Sequence, residues 1–167
     1  MRALQESDSM KYLNLGCGSR IAPDWVNLDI TSSSREVIAH DIRHGIPYPE
    51  ITFDVVYHSH LLEHFSKYEA VTFIKECYRV LKPGGIIRVV VPDLEQIVLN
   101  YLQALNMALQ GEDEGQYDYD WMMLELYDQT VREYPGGAML KYLKQDPIPN
   151  KEFILNRVGG EARRVIQ

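Results

Sequence analysis

The sequence predicts an α/β fold: a mostly parallel sheet of about five strands, followed by a helical C-terminal part. Three observations carry this. Residues 11–93 alternate short apolar runs with turns. One run, Ile86–Val91, is almost continuous in β-branched residues, as in a parallel-sheet strand covered on both faces. From Asp93 onward the apolar spacing is helical.

The first strand is expected at Lys11–Leu15, running straight into Gly16-Cys17-Gly18. Further strands are expected at Trp25–Ile30, Val37–Ile42, Phe53–Tyr57 and Ile86–Val91. Between the last two, Ser66 and Glu69 have capping-box spacing. Ala70, Phe73, Ile74, Cys77, Val80 and Leu81 follow at helical intervals, and Pro83-Gly84-Gly85 stops the helix. Strand, helix and strand of this length make a right-handed βαβ unit. Asp93 and Gln96 cap a second helix with Leu94, Val98, Tyr101, Leu102, Leu105 and Leu109 on one face, ending at Gly111. The acidic stretch EDEGQYDYD is expected as a linker to a helix from about Asp120 to Tyr134, closed by Pro135-Gly136-Gly137. Two shorter helices are expected near 138–145 and 151–158. Residues 1–10 read as a loose tail, 11–93 as the ligand-binding core, and 94–167 as a helical extension or lid on the same domain. The large side chains Trp121, Met122, Met123, Tyr127 and Tyr134 share one helix and would suit such a lid or ordinary core packing.

The composition narrows the function. The chain has 167 residues, long enough for one domain with a real core. Its 46% hydrophobic and 25% charged content is that of a soluble globular protein. A formal net charge of −7 without a Lys/Arg stripe argues against nucleic acid as a partner. No apolar run reaches the roughly 18 residues that span a bilayer, and MRALQESDSM lacks a secretory core. Cys17 and Cys77 make no disulfide framework. A reduced, cytoplasmic setting is expected.

The glycine turn is the first candidate site. Glycine lets backbone turn sharply and approach a ligand without a Cβ between them. Asp29 ends the next strand, where a carboxylate can accept hydrogen bonds from a ribose diol. Asp41 ends the third strand, further along the same crevice. Asp29 follows Gly18 by only 11 residues, and SRIAPDW has no room for a long helix. A pyrophosphate would lose its helix N-terminus, so a nucleoside without phosphates is expected.

Leu13-Asn14-Leu15-Gly16-Cys17-Gly18-Ser19, Val26-Asn27-Leu28-Asp29, Phe53-Asp54-Val55-Val56, Leu62-Glu63-His64 and Tyr78-Arg79-Val80-Leu81-Lys82-Pro83-Gly84-Gly85 appear in this order. Together they resemble a class I S-adenosylmethionine-dependent methyltransferase of the type-11 group, with its Rossmann-like sheet. The resemblance covers residues 11–93. It implies that Asn14, Gly16, Cys17, Gly18 and Ser19 border the methionine end of S-adenosylmethionine. Asp29 and Ile30 would meet the ribose, and Asp41 with the backbone of Ile42 the adenine. His58, Ser59 and His60, past the fourth strand, would lie beside the sulfonium and a small-molecule acceptor. Asn14 stands where the family has an acid, and Arg20 where it has a third glycine. The family's last two strands are not found after Val91. The chain is then either part of a longer protein or replaces them with helices. The fifth strand would be a bare edge needing cover from a helix or a second copy in a homodimer.

His60-Leu61-Leu62-Glu63-His64 also spells H-x-x-E-H, a zinc-peptidase pattern when it lies within a regular helix. Here it follows a strand directly and precedes the cap at Ser66, so no metal site is expected. His60, and after it His58, are the candidate general bases for a hydroxyl acceptor. A sheet that binds the cofactor without transferring a methyl is the alternative.

Overall fold

The computed structural model describes residues 9–131 and 136–166. Tyr134, Pro135 and most of the expected N-terminal tail lie outside them. The chain divides into two compact units, Met1–Pro92 and Asp93–Gln167.

In the first unit, β1 (Tyr12–Leu15), β2 (Val26–Asp29), β3 (Val37–Ala39), β4 (Phe53–Ser59) and β5 (Leu81–Val90) form one sheet in the order β3-β2-β1-β4-β5. Every pairing is parallel, as the apolar runs require. Helix α1 (Lys67–Val80) returns the chain from β4 to β5. Its capping box is complete: Glu69 N–H donates to Ser66 Oγ at 3.3 Å, and Ser66 N–H to Glu69 Oε2 at 3.0 Å. The helix lays Phe73, Cys77 and Val80 on Leu13, Leu15, Leu28 and Val56, all buried. Period-2 alternation places those sheet residues on one face, and Tyr12, Asn14, Asn27 and Tyr57 on the other.

Three boundaries differ from expectation. Strand β3 ends at Ala39, because Asp41 accepts the N–H of Arg43 and caps a 3-10 turn, Ile42–His44. Strand β4 continues through His58 and Ser59, which pair with Val89 and Val90 and so lie in the strand, not past it. Strand β5 begins at Leu81, directly after α1. Leu81 faces Phe53 and Ile86 faces Val55, so Lys82–Gly85 are absorbed in a bulge opposite Asp54. A Cβ on Gly85 would stand 2.9 Å from the Asp54 carbonyl, so glycine is needed there.

The lower edge of the sheet is pinned by polar bonds. Asp54 accepts from Lys11 N–H at 2.7 Å and from Lys82 Nζ at 2.9 Å, joining the starts of β1, β4 and β5. Arg79 donates to the carbonyls of Tyr48 and Ile46 at 2.8 and 2.9 Å and pairs with Glu76. Glu76 in turn accepts Ile46 N–H. The motif around Arg79 therefore fastens the β3–β4 connection to α1.

The second unit holds α2 (Leu94–Leu109), α3 (Asp113–Val131), α4 (Gly137–Leu143), α5 (Lys151–Val158) and α6 (Gly160–Val165). Asp93 caps α2 as expected, accepting Gln96 N–H. The acidic stretch expected as a linker is the start of α3. Asp113 and Glu114 suit the positive end of the helix dipole. A Cβ on Gly115 would come 2.7 Å from Met107, so glycine lets α3 lie close against α2. Trp121 and Met122 are fully buried with Ile97, Ala104, Leu143, Ile154 and Ala162, and form this unit's own core. No described residue after β5 is in a strand. β5 is an edge strand, with Ile86 62% exposed. Among the described residues no helix is long and apolar enough to cross a membrane.

Replacing Arg79 by alanine removes its donations to the Tyr48 and Ile46 carbonyls and its pairing with Glu76. Arg79→Ala is expected to lower the first unit's stability by about 1–2 kcal/mol. An unchanged urea midpoint would show that water replaces the guanidinium without loss.

Candidate cofactor site

The C-terminal ends of β1, β2 and β4 lie side by side, with Leu15 in register with both Leu28 and His58. Crevices at such edges hold ligands in open α/β sheets. The turn that leaves β1 has two left-handed glycines, each for its own reason. At Gly16 (φ 62°) a Cβ would stand 2.8 Å from a Leu61 methyl, so glycine lets the β4–α1 loop close on the turn. At Gly18 (φ 53°) nothing lies within 4 Å of the Cβ position, and that side of the backbone is open. Cys17, between them, is buried and donates its N–H to Leu28 O at 3.2 Å. Burial first, and then the charge of Asp29, hold its thiol above the usual range, so it stays protonated.

Asp29 ends β2 beside the glycine turn. Its Oδ2 accepts Gly18 N–H at 2.7 Å, and no donor among the described residues meets Oδ1. Ser33 Oγ donates to Gly18 O at 3.2 Å. Ser19 is exposed, and Ile30 is exposed beyond the strand.

One residue that sequence reasoning missed holds the turn in place. Asn27, at the centre of β2, is 2% exposed and bonds in four directions. Its Oδ1 accepts from Asn14 Nδ2 at 2.9 Å and Ala22 N–H at 3.0 Å. Its Nδ2 donates to the carbonyls of Ala22 and Trp25. Asn14 Nδ2 also donates to Arg20 O at 3.0 Å. The available signal was a pair of asparagines at matching positions of adjacent strands, in LNL and VNLD.

Asp41 lies beyond β3, near the same edge. Its carboxylate is held by Arg43 through Nε at 2.9 Å and a terminal nitrogen at 2.6 Å. These bonds lower its pKa to about 2. Any ligand amine must share that carboxylate with Arg43. Ile42 packs against the core of the first unit.

The histidines separate. His58 faces α1, fully buried, with its ring edge on Phe73 at 5.0 Å between centroids. Among the described residues neither ring nitrogen has a partner, and burial holds its pKa below the usual value despite Glu63 nearby. His60 begins the turn after β4 with φ 51°, its N–H on Val90 O at 2.9 Å. Its Nδ1 lies 3.3 Å from Glu63 Oε1. Residues 62–64 form a 3-10 turn, so His60, Glu63 and His64 do not share the face of a regular α-helix. Among the described residues no three His, Cys, Asp or Glu side chains are placed to hold a metal. The zinc reading therefore has no support.

Residues 13–89 match the methyltransferase domain family. The matched stretch is a little under half of the chain, and within it the core is similar to class I methyltransferases of the type-11 group. A probable S-adenosylmethionine-dependent methyltransferase of Mycolicibacterium smegmatis is 40% identical over 57 residues, 32% of this chain and 21% of that protein. The chain thus spans about a fifth of the length of that curated relative. In the matched core, the glycine turn and Asp29 stand together at the C-terminal edge of the sheet, while Asp41 is engaged by Arg43.

His58 carries a pH consequence. In the unfolded chain it takes a proton near pH 6.5, whereas the folded site resists protonation. As pH falls below about 6.5 the unfolded state binds the extra proton, and stability drops until the folded pKa is reached. Urea midpoints should fall between pH 7 and 5.5, and His58→Phe should flatten that slope. Parallel slopes for the two proteins would contradict it.

Proposed function

We propose that the chain is an S-adenosylmethionine-dependent methyltransferase acting on a small-molecule acceptor. The observation that carries this reading is Asp29 bonded through one oxygen to the N–H of Gly18, whose Cβ side is open, with its second oxygen unmet by any described donor. That arrangement fits a ribose diol beside a closely approached backbone. When bound, the cofactor supplies an electrophilic methyl group on a sulfonium.

The chain's own residues do the rest. Gly16, Cys17, Gly18 and Ser19 bring backbone against the methionine portion. Asn14 Oδ1, which takes no part in the two bonds made by its nitrogen, accepts from the ammonium. Asp29 and Ile30 meet the ribose, while Asp41 and the Ile42 backbone meet the adenine. Holding donor and acceptor in line accounts for several kcal/mol of barrier lowering. His60, at the mouth of the crevice, takes the proton from a hydroxyl acceptor, a contribution of roughly 10²–10⁴-fold. His58 and Ser59 form the wall behind it.

A second reading has an observation of its own. β5 is an exposed edge, and the chain spans only 21% of its relative's length. On that reading the sheet binds the cofactor, and transfer requires a second copy or further chain against β5. Transfer of labelled methyl to a panel of small molecules, sugars and proteins separates the two.

Calorimetry with S-adenosylmethionine tests what both share. Asp29→Ala should weaken binding at least tenfold, the loss of one charge-assisted hydrogen bond of about 1.5–3 kcal/mol. Wild-type protein that takes up no heat of binding would end both readings.

A further inference from the structure

Resting on that reading, we propose that Ser33 is a positioning residue for the cofactor turn: its hydroxyl holds the carbonyl of Gly18 while Asp29 holds the N–H of the same residue. Ser33 Oγ donates to Gly18 O at 3.2 Å. Asp29 Oδ2 accepts Gly18 N–H at 2.7 Å. One glycine is thus gripped at both of its backbone groups by side chains from the end of β2 and the loop after it.

Gly18 needs such a grip. It has φ 53°, and nothing lies within 4 Å of its Cβ position. Glycine visits left- and right-handed conformations about equally, so neither sterics nor packing selects this one. The bond at the N–H does not fix ψ, and so leaves the direction of the carbonyl unset. The peptide from Gly18 to Ser19 belongs to the stretch proposed to lie against the methionine portion. Ser33 sets that peptide before a ligand arrives, and a ligand that meets ordered backbone bears less of the entropy of ordering it.

The support on which this grip is built is itself tied down. His40 N–H donates to Asp29 O at 2.8 Å, which fixes the backbone that presents the carboxylate. Cys17 N–H donates to Leu28 O at 3.2 Å, so the turn is laced to β2 one residue before Gly18.

Fastening the β2–β3 loop is the competing explanation for Ser33. That loop has bonds of its own. Ser32 Oγ donates to Ser34 O at 2.7 Å, Glu36 N–H to Ser34 Oγ at 3.1 Å, and Val37 N–H to Ser34 O at 3.2 Å. Of three consecutive serines, the outer two bond within the loop, and the middle one reaches 15 residues back to the glycine turn. The bond of Ser33 is also exposed, so its loss leaves the core of the sheet untouched. A bond in that position acts on the turn and adds little to the stability of the fold.

The test pairs carbon NMR of the protein without ligand with calorimetry using S-adenosylmethionine. The Gly18 carbonyl shift reports the hydrogen bond it accepts. It should change in Ser33→Ala and return in Ser33→Thr, which keeps the hydroxyl. Ser33→Ala should weaken binding about three- to tenfold, the span of one neutral hydrogen bond. Ser33→Thr should restore the wild-type affinity, and Ser32→Ala, which removes a bond within the loop, should leave it unchanged. Urea midpoints of the wild type and Ser33→Ala should agree. Four results would each overturn the proposal: an unchanged carbonyl shift in Ser33→Ala, an affinity equal to wild type, a loss shared by Ser33→Thr or Ser32→Ala, or a midpoint that falls with the affinity. Wild-type protein that binds no S-adenosylmethionine would overturn the methyltransferase reading itself, and the role built on it.

Discussion

The hydrogen bond from Asn14 to Asn27 is the constraint on which the crevice depends. A chain leaving a glycine turn exposes backbone donors and acceptors that a helix would satisfy internally. Here residues 16–25 form no helix, so the satisfaction comes from two side chains at the centre of the sheet. Asn27 gathers the backbone of Ala22 and Trp25, and Asn14 takes Arg20. An aspartate at position 14 would bring a charge into this buried spot and lose both of the donations that asparagine makes. The substitution that looks like a weakened cofactor contact is thus also what allows a loop to stand in place of a helix.

The sheet divides its work between its two edges. The most recognisable stretch of sequence, Tyr78 to Gly85, lies at the edge where β5 begins, away from the crevice. Its conspicuous residues are structural: Arg79 fastens a connection, Lys82 meets Asp54, and Gly85 admits a carbonyl. The candidate ligand edge is written in less distinctive residues, a pair of glycines, an aspartate and a histidine turn with positive φ. Family resemblance and site chemistry are therefore carried by different parts of the same strands.

Patterns that depend on short-range spacing were legible in the sequence. The β-branched runs gave the strands, and Ser66 with Glu69 gave the start of α1. Features decided by contacts between distant residues were not. Nothing local shows that Asn27 meets Asn14, or that Gly115 lets α3 begin seven residues before the acidic stretch ends. Asp41 read as a strand terminus for a ligand, but its strongest partner is two residues away in Arg43. His58 lies one residue from the expected end of β4. Pairing runs two residues further, through Ser59, and the strand's alternation then puts His58 on the buried face with Val56.

The contact between Gly16 and Leu61 links two loops that the chain separates by 45 positions. A molecule that displaces the first loop by even part of an ångström must move the leucine, and with it the histidine next door. Occupancy of one side of the cleft and geometry on the other are then thermodynamically coupled, and the influence runs equally in both directions. On the proposed reading, filling the glycine side would therefore be felt at His60 on the other.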